Sequence, residues 1–290
     1  MTQSLNISMY VELHARSAFS FLEGASLPEE LIAVCAQLKM PAMALLDTDG
    51  VYGAPRFYLA AGKAKIKAHI GAEVTVQVQI SDCRFQIEDL HPKKRSSIYN
   101  LKSAIYNSFR LPLLVSTRAG YQNLCRLITK MKLRAKKGEG AVSVEELEEH
   151  ADGLICLTGG AEGPLAAAIQ QGGIDEARRQ VDRLIAIFGH KNVYVELQRH
   201  FQREEESRNR AAIDIARSLN LPLLATNGVC YATSKARELC DAFTAIRHHR
   251  TLSTTGRLLS RNSERYLKSA QEMQQLFADL PEAIANTQEL

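Results

Sequence analysis

The sequence lacks the features that mark membrane-spanning, secreted and zinc-knuckle proteins. No apolar run approaches the roughly 20 residues of a membrane span, and residues 1–8 lack the basic start and apolar core of a signal peptide. The six cysteines are scattered and none forms a C-x-x-C pair, which favours reduced buried thiols over disulfides. We therefore expect a cytoplasmic protein without a membrane partner.

The common nucleotide-binding signatures are also missing. No G-x-G-x-x-G follows a predicted strand, and the chain has no Walker loop. The formal net charge of +4 over 290 residues is too small to predict a nucleic-acid partner by itself. Any case for DNA contact must therefore depend on local clusters of cations.

The chain does contain a dense motif near its start, in Tyr10–Ser26. A short β-type run ends at His14, a polar loop carries Glu23 nine residues later, and a helix start follows with Pro28 in its first turn. Barrels built from α/β units present metal ligands in this way, at the point where a strand gives way to a loop. The motif therefore predicts a metal site if later strands deliver further ligands.

Short β-rich runs then alternate with helical patterns, which predicts βαβ units with parallel strands. Polar and acidic residues follow several different strands, and this distribution favours a closed barrel over a doubly wound sheet. Residues 79–110 break the alternation, so we interpret them as an insertion or a surface excursion. The predicted strands are 10–14, 42–46, 69–76, 111–116, 154–157, 193–197 and 222–226.

Five ordered motifs carry a resemblance to a known family: ELHARSAFSFLEGAS, ALLDTDGVYG, IGAE, YVELQRH and LLATNGVCYAT. They resemble the PHP (polymerase and histidinol phosphatase) domain, and more narrowly the N-terminal PHP domain of bacterial polymerase III alpha-like error-prone DNA polymerases. The resemblance implies a distorted seven-stranded (β/α) barrel over 1–235, with 79–110 as the insertion, and a helical segment over 236–290. It also implies up to three metal ions and hydrolysis of phosphoesters, including DNA 3′ ends.

Several family positions differ in this sequence. Intact members of the family have histidine where this chain has Arg16 and Thr48, and aspartate where it has Glu23. The last motif supplies Asp and His where this chain has Gly228 and Cys230. The remaining donors are fewer than the roughly eight or nine that a cluster of two or three metal ions needs. We therefore predict a degenerate metal site with no intact catalytic residues.

The resemblance still identifies candidate ligands and site-lining residues. Arg16 places a fixed positive charge in the site, where it would repel cations and pair with Glu73 or Asp47. A single Zn or Mn ion stays an alternative to a site without any cofactor. Asp47 and Asp49 are also expected to cap their loop through backbone amides. The candidate metal ligands are His14, Glu23, Glu73, His200 and Cys230, and the expected lining residues are Arg16, Asp47, Thr48, Asp49 and Asn227.

A local cluster of cations provides the case for DNA contact. Five cations lie within eight residues that lead into a glycine-rich turn, which is suited to DNA phosphates and equally typical of a solvated charged face. The run of two arginines and two histidines over 247–250 is a weaker case of the same kind. The DNA-contact candidates are Lys130, Lys132, Arg134, Lys136 and Lys137.

The resemblance also predicts what this chain does and does not do. Leu290 lies about where the resembling polymerases leave the PHP domain, and nothing here supplies the acidic triad of nucleotide transfer. We expect a PHP module of a translesion or DNA-repair polymerase, mainly structural or partner-contacting. Its partner would be the polymerase region or a separate polymerase subunit, with primer-template DNA as a further candidate. The alternatives are a free-standing metal-dependent phosphoesterase or 3′-exonuclease, and a non-enzymatic binding module.

Overall fold

The computed structural model describes residues 9–79, 106–136 and 140–290 as an α/β fold around a curled, mixed sheet. Six strands lie side by side in their order along the chain, so each strand pairs with its sequence neighbour. The strands are β1 (Ala42–Thr48), β2 (Lys67–Gln79), β3 (Tyr106–Val115), β4 (Leu154–Leu157), β5 (Val193–Leu197) and β6 (Leu223–Ala225).

The direction of β3 corrects the expectation of parallel units throughout. β1 with β2, β4 with β5 and β5 with β6 are parallel pairs, but β3 runs antiparallel to both β2 and β4. Its first half pairs with the far end of β2, and Thr75 lies opposite Arg110. Residues 106–110 of the predicted insertion therefore belong to the sheet, whereas 80–105 lie outside the described residues.

The predicted first strand forms only isolated bridges. Glu12 bridges Met43 on β1, and Ala15 bridges Val229, which follows β6. The backbone N–H of Arg16 donates to Val229 O at 2.8 Å. This segment therefore lies between the two ends of the strand order, and the expected count of seven strands is not confirmed among the described residues.

Ten α-helices flank the sheet in the described residues, and local sequence signals explain several of their ends. Proline occupies the first turn of four of them, and Ser143 and Glu146 form a capping box. No helix in the described ranges is long and apolar enough to cross a membrane. The helices are α1 (Pro28–Gln37), α2 (Ala54–Ala64), α3 (Arg118–Arg134), α4 (Val144–His150), α5 (Pro164–Phe188), α6 (Arg203–Leu219), α7 (Arg237–Arg247), α8 (Leu252–Thr255), α9 (Ala270–Leu276) and α10 (Pro281–Ala285).

One apolar core joins the sheet to helices from both ends of the chain. Leu45 on β1 and Val195 on β5 belong to the same buried cluster as Met273 on α9, Phe277 directly after it and Ile284 on α10. Burial of such side chains contributes roughly 1.5–3 kcal/mol each. The C-terminal helices are therefore packed against the region that holds the site.

Candidate functional site

His14 lies buried between two carboxylates at the predicted site. Its Nδ1 is 2.7 Å from Glu196 Oε1 on β5, and its Nε2 is 3.3 Å from Glu73 Oε1 on β2. Burial disfavours the charged imidazole, but the two carboxylates outweigh it and raise the pKa of His14 to about 10. His14 is therefore an imidazolium at neutral pH, and both ring nitrogens carry protons.

Arg16 occupies the middle of the same site and is only 8% exposed. Its Nη2 lies 2.9 Å from Glu73 Oε2 and 3.0 Å from Glu162 Oε2. Burial raises the pKa of Glu73, but Arg16 and His14 reverse this effect and hold that pKa well below its usual range. Arg16 therefore pairs with Glu73, one of the two partners that the sequence suggested.

Glu23 connects three elements of the fold. Arg110 on β3 donates two hydrogen bonds to it, with Nη2 2.6 Å from Oε1. Thr48 Oγ1 donates to Oε2 at 3.0 Å, and Arg247 at the end of α7 lies 3.0 Å from Oε1. Burial raises the pKa of Glu23, but Arg110 and Arg16 outweigh it and lower that pKa to about 2. Its oxygens are committed to protein donors.

Asp47 and Asp49 hold backbone groups near the ends of β1 and β2. Asp47 Oδ1 accepts from the backbone N–H and the hydroxyl of Ser17, each at 2.8 Å, and Oδ2 accepts from Gly53 N at 3.0 Å. Asp49 accepts from Thr75 N at 2.7 Å. The two aspartates thus fix the loop in which the site residues lie.

His200 and Asn227 belong to a separate hydrogen-bonded group. His200 Nδ1 lies 2.6 Å from Glu205 Oε1, and its Nε2 is 2.9 Å from Asn227 O. Asn227 in turn donates from its backbone to Glu12 Oε2 at 3.0 Å. The geometry ties the loop after β5 to the start of α6 and leaves neither nitrogen of His200 free.

Cys230 is buried beside a cation. Its Sγ lies 3.7 Å from Nη1 of Arg265 and 3.6 Å from Gly228 O. Arg265 forms no salt bridge with a carboxylate among the described residues. The five candidate ligands are therefore distributed over the His14–Glu73 pair, Glu23 with its arginines, the His200 group and the Cys230–Arg265 contact.

Known proteins match this chain over most of its length. The family model for the PHP domain matches residues 12–200. The chain belongs to the PHP domain family. An error-prone DNA polymerase of Mycolicibacterium paratuberculosis is 34% identical over 283 residues, which is 97% of this chain and 24% of that protein. The DNA polymerase III subunit alpha of Vibrio cholerae is 33% identical over 282 residues, 97% of this chain and 22% of that protein.

These matches confirm the resemblance inferred from the five motifs. The PHP domain described here spans about a quarter of the length of the curated relatives that it matches. Among solved structures, a Bifidobacterium adolescentis protein provisionally described as a metal-dependent phosphoesterase aligns with a TM-score of 0.49 at 13% identity. That alignment covers 76% of this chain and 87% of that protein.

Charge balance bears on whether a metal cluster fits the PHP site. Four cationic side chains, with Arg247 at the rim, already face four carboxylates, so two or three divalent ions would leave a large uncompensated positive charge in a largely buried region. Within the described ranges, no group of three or more His, Cys, Asp or Glu side chains is placed to hold a metal ion. The arrangement therefore does not fit the cluster that the resemblance implies. The strand-end cluster consists of His14, Arg16, Arg110, Arg265, Glu23, Glu73, Glu162 and Glu196.

The candidate DNA-contact residues lie on and just after α3. Lys130 Nζ is 2.6 Å from Glu149 Oε2, and Arg134 pairs with Glu146 on α4. Lys132 and Lys136 are half-buried and exposed, respectively, and Lys137 lies outside the described residues. We call the four described cations, Lys130, Lys132, Arg134 and Lys136, the α3 cation cluster.

Four members of the strand-end cluster were missed as site residues. Glu196 had a usable signal, because an acid inside the apolar strand VYVEL must find a partner when the strand is buried. Arg110 had none, since it lies in the segment interpreted as an insertion. Glu162 and Arg265 follow a turn and precede a helix, where charged residues are common and carry no specific signal.

Proposed function

We propose that this PHP domain is a structural module of a polymerase III alpha-like, error-prone DNA polymerase, and that ion pairs occupy its former metal site. The observation that carries the proposal is Arg16, whose guanidinium contacts Glu73 and Glu162 at about the distance of a hydrogen bond. A carboxylate bound to a fixed cation in a buried site is a poor ligand for a second cation. The chain's residues thus serve to hold strand ends together.

The proposed architecture follows the family expectation. The segment at 10–16 would act as the seventh strand of a distorted barrel, since its backbone bonds reach both Ala44 and Val229. The barrel would extend over 1–235, and the helices of 236–290 would lead from it towards the polymerase region. The shared core of Met273 and Phe277 with the strands supports a rigid connection.

The proposed partner is a polymerase region, in the same chain or in a separate subunit. The relatives whose first quarter resembles this chain are DNA polymerases in name. The α3 cation cluster would approach primer-template DNA. We expect the affinity for primer-template DNA to fall with salt and in the variant Lys132→Ala/Lys136→Ala. Unchanged affinity would leave that cluster as a solvated surface.

Metal content tests the structural proposal directly. The purified chain is exposed to manganese and zinc, dialysed exhaustively and analysed by elemental mass spectrometry. We expect metal far below one ion per chain in the natural sequence and in His14→Ala. One ion per chain that disappears in His14→Ala would overturn the proposal.

One observation favours a second candidate, a metal-dependent phosphoesterase with a single Zn or Mn ion. The buried atoms His14 Nε2, Glu73 Oε2 and Glu196 Oε2 lack a hydrogen-bond partner of normal geometry. Two of these residues, His14 and Glu73, line a small cavity of about 10 Å³ together with Arg16 and Glu162. Manganese-dependent hydrolysis of bis-p-nitrophenyl phosphate, abolished by His14→Ala, would establish this candidate, and its absence would exclude it.

A further inference from the structure

Helix α7 and the residues after it present aliphatic side chains to solvent. Leu239 and Ile246 are 47% and 57% exposed, and Leu252 and Leu258 are 54% and 44% exposed. Leu239, Phe243 and Ile246 have the spacing of one face of a helix, and α8 packs against α7. Exposed apolar side chains grouped on neighbouring elements in this way are candidate interaction sites on folded proteins. We call these five residues the α7–α8 face.

Positive charge predominates in the segment of chain that carries this face. Residues 235–261 contain six Lys and Arg but only two Asp and Glu. Arg237 pairs with Asp241 within α7, whereas Lys235, Arg250 and Arg257 have no salt bridge to a carboxylate in the described residues. The α7–α8 face is thus an apolar surface with a basic border.

The strand-end cluster holds this face in place. Arg247, in the last turn of α7, lies 3.0 Å from Glu23 Oε1, and Cys240 Sγ lies 3.8 Å from Glu23 O. Arg237 Nη2 donates to Ser260 O at 2.7 Å. Both ends of α7 are therefore fixed before any partner binds, which lowers the entropic cost of association.

We propose that the α7–α8 face is the docking surface for an acidic, apolar segment of the polymerase region. This inference depends on the proposed function, and it identifies the surface through which the PHP domain contacts the polymerase region. Relatives that match 97% of this chain are about four times as long, so most of such a protein is available as the occupant. The basic border selects an acidic partner. The most exposed side chains are aliphatic, whereas surfaces for single-stranded DNA use aromatic side chains on which bases stack.

A chimeric polymerase tests the proposal. This chain replaces the matching N-terminal quarter of the Mycolicibacterium paratuberculosis error-prone DNA polymerase, and thermal unfolding and primer extension are recorded. The face variant is Ile246→Asp/Leu252→Asp. The matched control is Leu59→Asp/Ile174→Asp, which places the same charge at exposed aliphatic positions on α2 and α5, away from the α3 cation cluster.

We expect the parent chimera and the control to unfold in one transition and to extend primers equally. The face variant should unfold in two transitions and lose about tenfold or more of the extension rate, as removal of an interface hot spot does. The isolated chain should keep its melting temperature in both variants, because the substituted side chains are exposed.

The outcomes separate the two levels of inference. A parent chimera that unfolds in two transitions would contradict the proposed function itself. A one-transition parent with equal behaviour of the face and control variants would overturn only the docking surface. If Arg250→Glu/Arg257→Glu abolishes binding of a single-stranded oligonucleotide while the face variant unfolds in one transition, the face is a nucleic-acid surface and the proposal is wrong.

Discussion

The strand-end cluster and the α3 cation cluster both contain ion pairs, but those of the first are largely buried and those of the second are more exposed. Arg16 and Glu73 are 8% and 2% exposed and lie 2.9 Å apart. The side chains of Lys130 and Glu149 are 47% and 61% exposed and lie only 2.6 Å apart. Water screens the outer pair and solvates either partner when it is alone, whereas a buried partner left alone keeps its full desolvation cost. Burial, and not distance, decides what each pair contributes.

Loss of Arg16 should have the largest effect. We expect Arg16→Met to lower the free energy of unfolding by about 3–5 kcal/mol, because Glu73 would remain buried with too little compensating charge. Arg134→Met removes the half-exposed partner of the buried Glu146, which still accepts from Ser143 N, and should cost about 1–3 kcal/mol. Urea denaturation measures both.

A double variant makes this contrast sharper. Arg16→Met/Glu73→Gln removes both charges and should recover part of the loss, since no unpaired charge is left. Burial does not distinguish the two clusters if the double variant is no more stable than Arg16→Met. The same holds if Arg134→Met lowers the free energy of unfolding as much as Arg16→Met does.

Acid should destabilise the strand-end cluster next. The pKa of Glu23 falls from 4.5 to about 2 on folding, so its contribution is complete above pH 4.5 and is lost as pH falls towards 2. In urea denaturation at a series of acidic pH values, Glu23→Gln should therefore lose less stability between pH 4.5 and 2 than the natural chain. The exposed control Glu149→Gln should lose nearly as much stability as the natural chain. If Glu23→Gln and the natural chain lose stability equally as pH falls, the Glu23 carboxyl is not held ionised by Arg110.

High pH should destabilise the protein through deprotonation of His14. Its pKa rises from 6.5 to about 10 on folding, so its contribution is complete below pH 6.5 and declines as pH rises through about 10. Chemical denaturation at a series of pH values should show a smaller decline in His14→Gln than in the natural chain. His248→Gln, at an exposed position after α7, should preserve the natural slope, and a loss of slope there would assign the effect elsewhere.

The smallest effect should come from Lys130. We expect Lys130→Met to shift the melting temperature by no more than about 2 °C, at low and at high salt. Differential scanning fluorimetry measures the shift, with Arg16→Met as the reference. A shift comparable to that of Arg16→Met would mean that the α3 cation cluster contributes to stability as a network.

Sequence motifs near strand ends predicted which side chains gather around His14, and their role as a functional site stays a prediction. The sequence offered Glu73 and Asp47 as partners for Arg16 and led us to expect that Asp47 and Asp49 cap their loop, because both inferences depend on short-range order and charge. It did not foresee that β3 runs antiparallel, since strand direction leaves no trace in local hydrophobic patterns. Arg110 was missed for the same reason, because only the antiparallel register brings it to Glu23.

The contacts of His200 could not be read from the sequence, and its role as a metal ligand stays a prediction. Its predicted role depended on family position, whereas its contacts are with Glu205 at the start of α6 and with the backbone of Asn227. Glu205 lies five residues further along the chain, whereas Asn227 lies 27 residues away. Choices among such competing partners depend on tertiary packing, which a single sequence does not specify.

The bonds between the first and last segments have a consequence for synthesis of the protein. Val11 N donates to Thr287 Oγ1 at 3.2 Å across 276 residues of chain, and Arg16 N donates to Val229 O. On the ribosome, the opening segment must wait until nearly the whole domain has emerged before its final partners exist. Folding of proteins rich in such distant contacts is slow, and the waiting segment is exposed to wrong association. Chaperone dependence during translation is therefore an expected property of this fold.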